Sequence, residues 1–370
     1  MDAGEILDEG LSRLAGTGPE FGGGLSNHGP MAAEALIRLG RGDEVERWLD
    51  DYIKRLDEAP RPSDRITDEN WRASLGDLRR SGDWIAYFRA QLAADDWRTV
   101  LNRWWPRLVP GLAAGATHGI IRTSHAARSL AGLPGSAASD TAPASGDTAQ
   151  AASDTAQAAS DTAQREGELA RGLAYWAAAY TALPGTPRTG GGLDLRAALD
   201  GLPRLPEIPN RGLITETLDV GLAGEPEFPA RMSALRAPGD VPADLLALAR
   251  EFTGIFLAYG RARPIALLHA VTAPVAARSV LPLLDEGAAR PTYDALWQIG
   301  AAIYSVYTGA LTPEPLPAGD PPTPEALADR AVATGDEHAI KLTEACLRLN
   351  AEAPDPVFRH AAARVSELLG

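Results

Sequence analysis

A histidine and a lysine stand close together in a predicted helix and are the first candidates for chemistry in this chain. The stretch TGDEHAIKLTEACLRL, residues 334–349, predicts a helix with Thr334 as N-cap and Glu337 completing a capping box. His338 and Lys341 are three residues apart and share one face of it. The other residues of that face are Leu342, Ala345 and Leu349. The pattern therefore places an imidazole and an amine in the stripe expected to be buried.

The opposite face of this helix is polar, and we expect it to meet solvent; its residues are Glu337, Thr343, Glu344 and Arg348. Lysine is seldom fully buried without a partner, and burial lowers its pKa. One interpretation is that the stem of Lys341 packs while its ammonium group reaches the protein edge. The other is a neutral Lys341 beside His338, acting as a Schiff-base amine, a base, or a carbon dioxide adduct that ligates metal.

A transition-metal site would draw its nitrogen ligands from only six histidines. His28 follows a Gly-rich turn and begins a predicted helix that ends at Gly40, so a capping role is one alternative. His269 lies among small residues near Pro274, whose missing N–H predicts a kink. His269 could face a space that holds a ligand. It could equally be a core histidine that bonds a backbone carbonyl left without its donor by Pro274. His360 is expected to be solvated.

Polar residues also share one face of a predicted helix over residues 111–133. His118, Arg122 and His125 lie on it, together with Ile121 and Ser129. The apolar Ile121 and the scarcity of acidic residues favour a face that lines a cavity over one that meets solvent.

Composition excludes several classes of function. The chain has 370 residues and a net charge of −14, without a basic patch, so neither nucleic acid nor an anionic membrane is an expected partner. The single Cys346 excludes an internal disulfide and a cysteine-based zinc site. We find no apolar run near the roughly 18 residues needed to span a bilayer and no signal-peptide pattern. The expected location is cytoplasmic.

The chain is predicted to form one large all-α domain over residues 1–370, because it is rich in Ala and Leu and poor in β-branched runs. A low-complexity insertion, 134–165, contains the repeat ASGDTAQ, AASDTAQ, AASDTAQ, which could be a mobile insertion or an exposed Ala-rich helix. We expect a surface loop extension without a catalytic role. A Pro/Gly-rich connection over 184–212 is expected to be irregular, either as a lid or as a link. Dinucleotide-binding, P-loop, HExxH, GxSxG and EF-hand motifs are absent.

Four segments resemble motifs of the questin oxidase-like family: SNHGPMAAEALIRLG at 26–40, THGIIRTSHAARSL at 117–130, LLHAVTAPVAAR at 267–278 and DEHAIKLTEACL at 336–347. The resemblance extends over nearly the whole chain apart from the repeat insertion. It implies a non-haem iron oxygenase that opens a quinone ring of an aromatic polyketide, such as an anthraquinone or angucycline, by oxidative C–C cleavage. The metal ligands that it implies are His28, His118, His269, His338 and a carboxylated Lys341.

The implied chemistry suits these residue types, because a carbamate turns the lysine cation into an oxygen-donor anion, and iron accepts imidazole and carboxylate-like oxygen. Expected reactants are the aromatic substrate and dioxygen, with NADPH delivered through a reductase partner as one source of electrons. Arg122 and His125 are expected to bind a phenolate or quinone oxygen, with His125 as acid or base. The family pattern has a further histidine where this chain has Ser26, so the substrate's shape is left open.

Two alternatives remain at this point. A zinc or binuclear hydrolase also uses carbamylated lysine, but it would need aspartates near the histidines, and only Asp336 is close in sequence. An α-helical protein that binds an aromatic metabolite would use Lys341 only as an ion-pair partner.

Overall fold

Helices form most of the chain, as the sequence predicts. The computed structural model describes residues 2–132, 148–207 and 212–370. Within these ranges there are sixteen α-helices and one antiparallel hairpin of two short strands. The predicted all-α class is confirmed.

The helices and strands are α1 (Ala3–Leu14), β1 (Glu20–Phe21), β2 (Leu25–Ser26), α2 (Gly29–Arg38), α3 (Val45–Tyr52), α4 (Ser81–Ala94), α5 (Trp97–Leu108), α6 (His118–Ala131), α7 (Thr148–Ala178), α8 (Leu195–Asp200), α9 (Ile214–Ala223), α10 (Phe228–Met232), α11 (Val241–Tyr259), α12 (Pro264–Val280), α13 (Ala289–Thr308), α14 (Pro324–Thr334), α15 (Glu337–Glu352) and α16 (Pro356–Leu369). Short turns of 3₁₀-helix lie between some of them.

Aspartate side chains begin many of the helices. Asp96, Asp194, Asp240, Asp336 and Asp355 each accept a hydrogen bond from a backbone N–H group in the first turn of the following helix. Such caps satisfy donors that have no partner inside the helix, and a carboxylate also suits the positive end of the helix dipole. Local sequence therefore fixes where these helices start.

Four helices form a closed ring at the centre of the fold. α2 packs against α6 and α15, and α12 packs against the same two helices from the other side. Each member of this ring carries one of the four candidate histidines, at or near its N-terminal end. The ring therefore brings together residues that lie far apart in the sequence.

The helix at the back of this ring corrects one sequence-based expectation. Residues Pro264–Leu283 are long and apolar enough to cross a membrane by length and composition, whereas we expected no such run. Most of this segment is buried inside the protein, where α12 packs against α6, α11, α13 and α15. Its apolar character therefore matches that of a core helix, covered on every side by other helices.

Two predicted irregular segments contain helix. Residues 148–164 of the predicted 134–165 insertion belong to α7, because the Ala-rich repeat continues the helix of the residues after it. Residues 134–147 lie outside the described part of the chain. The predicted irregular connection over 184–212 contains the short helix α8, capped by Asp194. The lid function of this connection stays a prediction.

Glycines allow α6 and α7 to approach closely. A Cβ atom on Gly119 would lie 2.8 Å from the Trp176 ring and 2.9 Å from the Trp176 Cα. On α7, a Cβ on Gly172 would lie 3.1 Å from the backbone of Thr123. Because part of each clash involves backbone, neither helix could relieve it by a change of rotamer alone.

We expect Gly119→Ala to lower the free energy of unfolding by about 1–3 kcal/mol, since it overpacks the interface between α6 and α7. Gly254→Ala is the matched control: Gly254 lies inside α11 and a Cβ there meets no atom outside its own helix within 4 Å. That substitution should leave stability unchanged or raise it by up to about 1 kcal/mol. Urea denaturation measures both, and equal stabilities would contradict the close approach of the two helices.

Candidate metal centre

His28 is fixed at the start of α2 by a hydrogen-bonded turn. Its backbone N–H donates to the Tyr52 hydroxyl at 2.6 Å. The Asn27 side chain accepts from the N–H of Gly29 at 3.0 Å and donates to the carbonyl of Gly18 at 2.8 Å. The imidazole itself is buried. The turn that links the β-hairpin to α2 therefore sets the direction of the ring.

His118 follows a turn in which three consecutive residues have left-handed backbone conformation. Gly115, Ala116 and Thr117 have φ of 52°, 55° and 74°. This conformation is unfavourable for Ala and Thr and is typical of functional sites that the surrounding structure holds in place. The predicted helix over 111–133 is wrong in its start, because this turn delays α6 until His118. Gly115 also turns its carbonyl towards His118 Nδ1.

His269 lies on the second turn of α12 and is fully enclosed. Its Nδ1 faces the carbonyl oxygen of Ile265, four residues earlier, at 2.6 Å. The sequence left open whether this histidine bonds a freed carbonyl; it does bond a carbonyl of its own helix, and the opposite side of the ring faces the other histidines.

His338 and Lys341 lie on the first turn and a half of α15, which begins later than the sequence predicted. The N-cap is Asp336, whose carboxylate accepts from the N–H groups of His338 and Ala339 at 2.7 and 3.1 Å. The prediction of Thr334 as N-cap is wrong, since Thr334 ends α14 and Gly335, with φ of 66°, reverses the chain between the two helices.

The expected solvent-facing side of α15 is also wrong. Glu337, Thr343 and Glu344 are buried, because α15 packs against α2, α12, α14 and α16. The helix is enclosed on nearly all sides; Glu344 pairs with Arg128 of α6, and Glu337 pairs with Arg55. The stripe of His338, Lys341 and three apolar residues was therefore only part of the buried surface.

The four imidazoles converge at one point inside the helix ring. The Nε2 atoms of His28 and His118 are 2.6 Å apart, and those of His118 and His269 are 3.1 Å apart. The His338 ring centroid lies 4.5 Å from that of His28 and 5.8 Å from that of His269. Ring nitrogens of His28, His118 and His338 all lie within 4.8 Å of one another. The structure thus brings together all four predicted histidine ligands.

The hydrogen bonds of two of these rings define where their lone pairs point. A carbonyl oxygen only accepts, so the Nδ1 atoms that face Gly115 and Ile265 must carry the protons. His118 and His269 therefore direct Nε2 lone pairs at each other across 3.1 Å. Two nitrogens bonded at about 2.1 Å to one ion at right angles are about 3 Å apart. A cation fits here and would remove the repulsion between the lone pairs.

Protonation does not relieve this repulsion at neutral pH. Burial is the largest cause that lowers the pKa of His28, His118 and His269 well below the usual value, and the neighbouring cationic groups lower it further. The helix N-termini also disfavour positive charge on these rings. His28, His118 and His269 are therefore neutral imidazoles at neutral pH, the form that binds metal ions.

Two carboxylates stand behind the cluster. Glu337 Oε1 lies 3.6 Å from His28 Nδ1, and Asp336 Oδ1 lies 3.4 Å from His338 Nδ1. Carboxylates in this position orient metal-binding histidines and increase their basicity. Sequence analysis missed Glu337 in this role; its place directly before His338 and after a capping Asp was the only available signal.

Lys341 is buried without a partner beside the imidazoles. It is 2 % exposed, and its Nζ has no hydrogen-bond partner among the described residues. Lys341 lies one turn after His338 on α15, and its positive charge would lower the pKa values of His28, His118 and His269. Burial lowers the pKa of Lys341 to about 7, against the opposing effect of Glu337. The alternative in which its ammonium reaches the protein edge is excluded by this burial.

A cavity of about 340 Å³ opens onto the four histidines. Its walls come from the β-hairpin, the turn before α6, the end of α7, the start of α9 and residues 76–78. Apolar side chains that line it include Phe21, Leu25, Leu78, Leu213 and Ile265. This volume and lining are typical of a site for a small apolar ligand.

Comparison with protein-family models gives a match within the first half of the chain. Residues 25–179 match the model described as questin oxidase-like. The resemblance predicted from the motifs is thereby confirmed, and it implies that the chain is an oxidoreductase. Comparison with curated proteins gives no match.

The matched range of the questin oxidase-like family includes His28 and His118, and the helix ring adds the rest of the cluster. His269, His338 and Lys341 lie beyond residue 179. They join the first two histidines only through the packing of α12 and α15 against α2 and α6. Fold geometry therefore supplies evidence for the second half of the site that the match does not cover.

Arg122 and His125 do not line the cavity at the histidine cluster. They border a separate cleft of about 10 Å³ on the other side of α6. Arg122 forms two hydrogen bonds with Glu168, at 2.6 and 3.0 Å, and His125 Nδ1 lies 2.9 Å from Glu34 Oε2. On the face that the sequence assigned to a cavity, His118 does line one, whereas Arg122 and His125 contact α7 and α2. The expected contacts of Arg122 and His125 with substrate therefore have no geometric support.

A buried network of charges fixes the helices that carry the site. Glu34 of α2 accepts hydrogen bonds from Arg38 and from Arg128 of α6. Arg128 also reaches Glu344 of α15 at 3.3 Å. Glu344 in turn accepts from Arg348 at 3.0 Å. Three helices of the ring are thus joined by paired charges just beyond the histidines.

We expect stability to fall with decreasing pH because of His125. Burial, followed by the charge of Arg128, lowers the pKa of His125 from 6.5 to about 4. Its pKa is lower in the folded state, so the unfolded state binds a proton first and stability is lost as pH falls from about 6.5 to about 4. The loss is at most about 3 kcal/mol at pH 4. Urea denaturation between pH 7 and pH 4 measures it.

His125→Asn provides the comparison for this prediction. The variant should be less stable at pH 7, because Glu34 loses a partner, but its stability should change less between pH 7 and pH 4 than that of the wild type. The same pH dependence in both proteins would contradict the assignment to His125.

Proposed function

We propose that this chain is a non-haem iron-dependent oxygenase that opens a ring of a polycyclic aromatic quinone or hydroquinone, such as an anthraquinone or angucycline. The observation that carries the proposal is the convergence of four imidazoles at the end of an apolar cavity. The family match supports an oxidoreductase that acts on anthraquinone-type compounds. Dioxygen and the aromatic compound are the proposed reactants.

The residues that would hold the metal are His28, His118, His269, His338 and Lys341. As a carbamate, Lys341 would present oxygen donors, and its unpartnered, buried amine would no longer stand as an uncompensated polar group. Bound Fe(II) would supply dioxygen activation, which none of these side chains provides alone.

The chain's own groups shape and protect the site. Carbonyl oxygens of Gly115 and Ile265 keep the protons of His118 and His269 on Nδ1, with Nε2 free for the metal. Apolar walls exclude water and accept the flat face of an aromatic ring. The paired Glu337 and Arg55, 3.3 Å apart, stand behind His28. NADPH through a reductase partner and a cytoplasmic location stay predictions.

The hydrolase alternative is less well supported by this geometry. Asp336 and Glu337 approach the outer Nδ1 atoms of His338 and His28, which is a supporting position. In the described residues no carboxylate joins the group of converging nitrogens. A hydrolase with two metal ions would need ligands for both, whereas the described residues bring together one group of nitrogens.

Metal content and dioxygen uptake test the proposal together. After anaerobic purification without chelators, we expect about one iron per chain, and dioxygen consumption when a hydroxyanthraquinol is added. His118→Ala removes the imidazole that contacts two others and should lose both iron and consumption. His360→Ala is the matched control, because His360 lies on α16 outside the cluster, and it should keep both.

Other metal contents decide between the alternatives. Zinc in place of iron in the freshly purified protein would favour the hydrolase. No bound metal, even after Fe(II) and bicarbonate are supplied, would overturn the oxygenase and leave the aromatic-binding protein.

The carbamate has a test of its own. Lys341→Met keeps a long apolar stem in the buried position but cannot react with carbon dioxide, so we expect it to bind iron at least tenfold more weakly than the wild type. Carbon-13 NMR of the wild type equilibrated with labelled bicarbonate should show one carbamate signal that the variant lacks. Iron content and turnover equal to those of the wild type in Lys341→Met would refute the modified lysine.

A further inference from the structure

One carboxylate in the cavity has no role in the metal cluster. Glu20 begins β1, is partly buried, and lines the same cavity as the four histidines. Its Oε1 accepts a hydrogen bond from the Tyr175 hydroxyl at 3.0 Å, and this hydroxyl is also 2.6 Å from Ser26 Oγ. The Tyr175 hydroxyl packs against Gly115, where a Cβ would lie only 2.3 Å from it. Glu20 is therefore held in a fixed position relative to the turn that carries His118.

Glu20 differs from the other cavity carboxylate in its electrostatic surroundings. Glu337 pairs with Arg55, whereas Glu20 forms no ion pair with any described Arg or Lys. Burial raises the pKa of Glu20 above its usual value, and the bond from Tyr175 only partly opposes this effect. Its second oxygen, Oε2, has no hydrogen bond to the described residues. A partly buried acceptor in this state gains from a donor supplied by a ligand.

The rest of the cavity indicates what kind of ligand would bring that donor. No Arg or Lys is among the described residues that line it, so a carboxylate or sulfate group bound next to Glu20, away from the proposed metal, would meet a like charge with no cationic side chain to offset it. Leu25 and Leu78, which are 53 % and 42 % exposed, line the cavity and offer apolar surface where it opens. Such walls favour a flat, uncharged ring system.

We propose that Glu20 is the residue that selects the substrate, by accepting a hydrogen bond from a ring hydroxyl of a neutral polycyclic aromatic compound. The inference deepens the proposed function, on which it rests, because it names which members of the substrate class bind. Hydroxylated compounds bind best, compounds whose hydroxyl is methylated lose the donor, and anionic compounds are rejected. The hydroxyl also fixes the orientation of the ring system relative to the histidines.

Ligand binding without turnover tests this inference. The probes are 2-hydroxyanthraquinone, 2-methoxyanthraquinone and anthraquinone-2-carboxylate, titrated calorimetrically into the metal-loaded protein under nitrogen. We expect the wild type to bind the hydroxy compound about tenfold or more tightly than the methoxy compound, since a hydrogen bond to a charged acceptor is lost. It should bind the carboxylate most weakly of the three.

Glu20→Gln retains the shape of the side chain and an acceptor for Tyr175, but removes the charge. We expect the preference for hydroxyl over methoxy to fall to about threefold or less, and the discrimination against the carboxylate to diminish. Glu58→Gln is the matched control: it removes the same charge from an exposed residue that does not line the cavity. It should bind all three probes as the wild type does.

The possible outcomes distinguish the role of Glu20 from the proposed function on which it rests. A wild type without preference, or an unchanged preference in Glu20→Gln, would overturn the role of Glu20 while the aromatic substrate class stands. Failure of the wild type to bind any of the three anthraquinones would overturn the proposed substrate class and this inference with it.

Discussion

The site depends on gathering several basic groups in a buried space, where positive charge is unfavourable. The four imidazoles lie against one another and Lys341 lies one turn after His338, so a positive charge on one of these groups opposes a positive charge on the next. Burial removes the water that would stabilise such charges. Carbonyl oxygens of the turn before α6 and of α12 hold the Nδ1 protons on the far side of two rings. As a result the Nε2 lone pairs of these two rings face each other, and a bound cation would satisfy both.

The helix ring is the means by which that arrangement is reached. Each histidine lies near the N-terminal end of its helix, where the unpaired N–H groups disfavour protonated imidazole and favour an anionic ligand such as a carbamate. Buried ion pairs among Glu34, Arg128 and Glu344 join α2, α6 and α15. Such pairs cost desolvation energy, so their contribution is to fix the relative positions of these helices more than to add stability. Arg122 and His125 belong to this supporting layer and not to the cavity.

The cavity side of the molecule is built differently from the cluster. A short β-hairpin, the left-handed turn at residues 115–117 and the start of α9 provide its walls, so much of it is loop backbone held against helices. Glu20 and Tyr175 link the hairpin to this turn through side-chain hydrogen bonds. The rigid helices thus hold the reacting centre, and shorter segments define what can approach it, the usual division between scaffold and specificity elements.

The sequence by itself determined the helical class and most helix positions, and it indicated which histidines are candidate metal ligands. Apolar periodicity and capping residues act within one helix, and motifs resembling the questin oxidase-like family named His28, His118, His269, His338 and Lys341. Tertiary structure alone decided which polar faces were buried, because burial depends on neighbours that are distant in sequence. It placed Glu337 behind the cluster and turned Arg122 and His125 away from the cavity. It also brought Glu20 to the cavity wall, where nothing in the local sequence marks it.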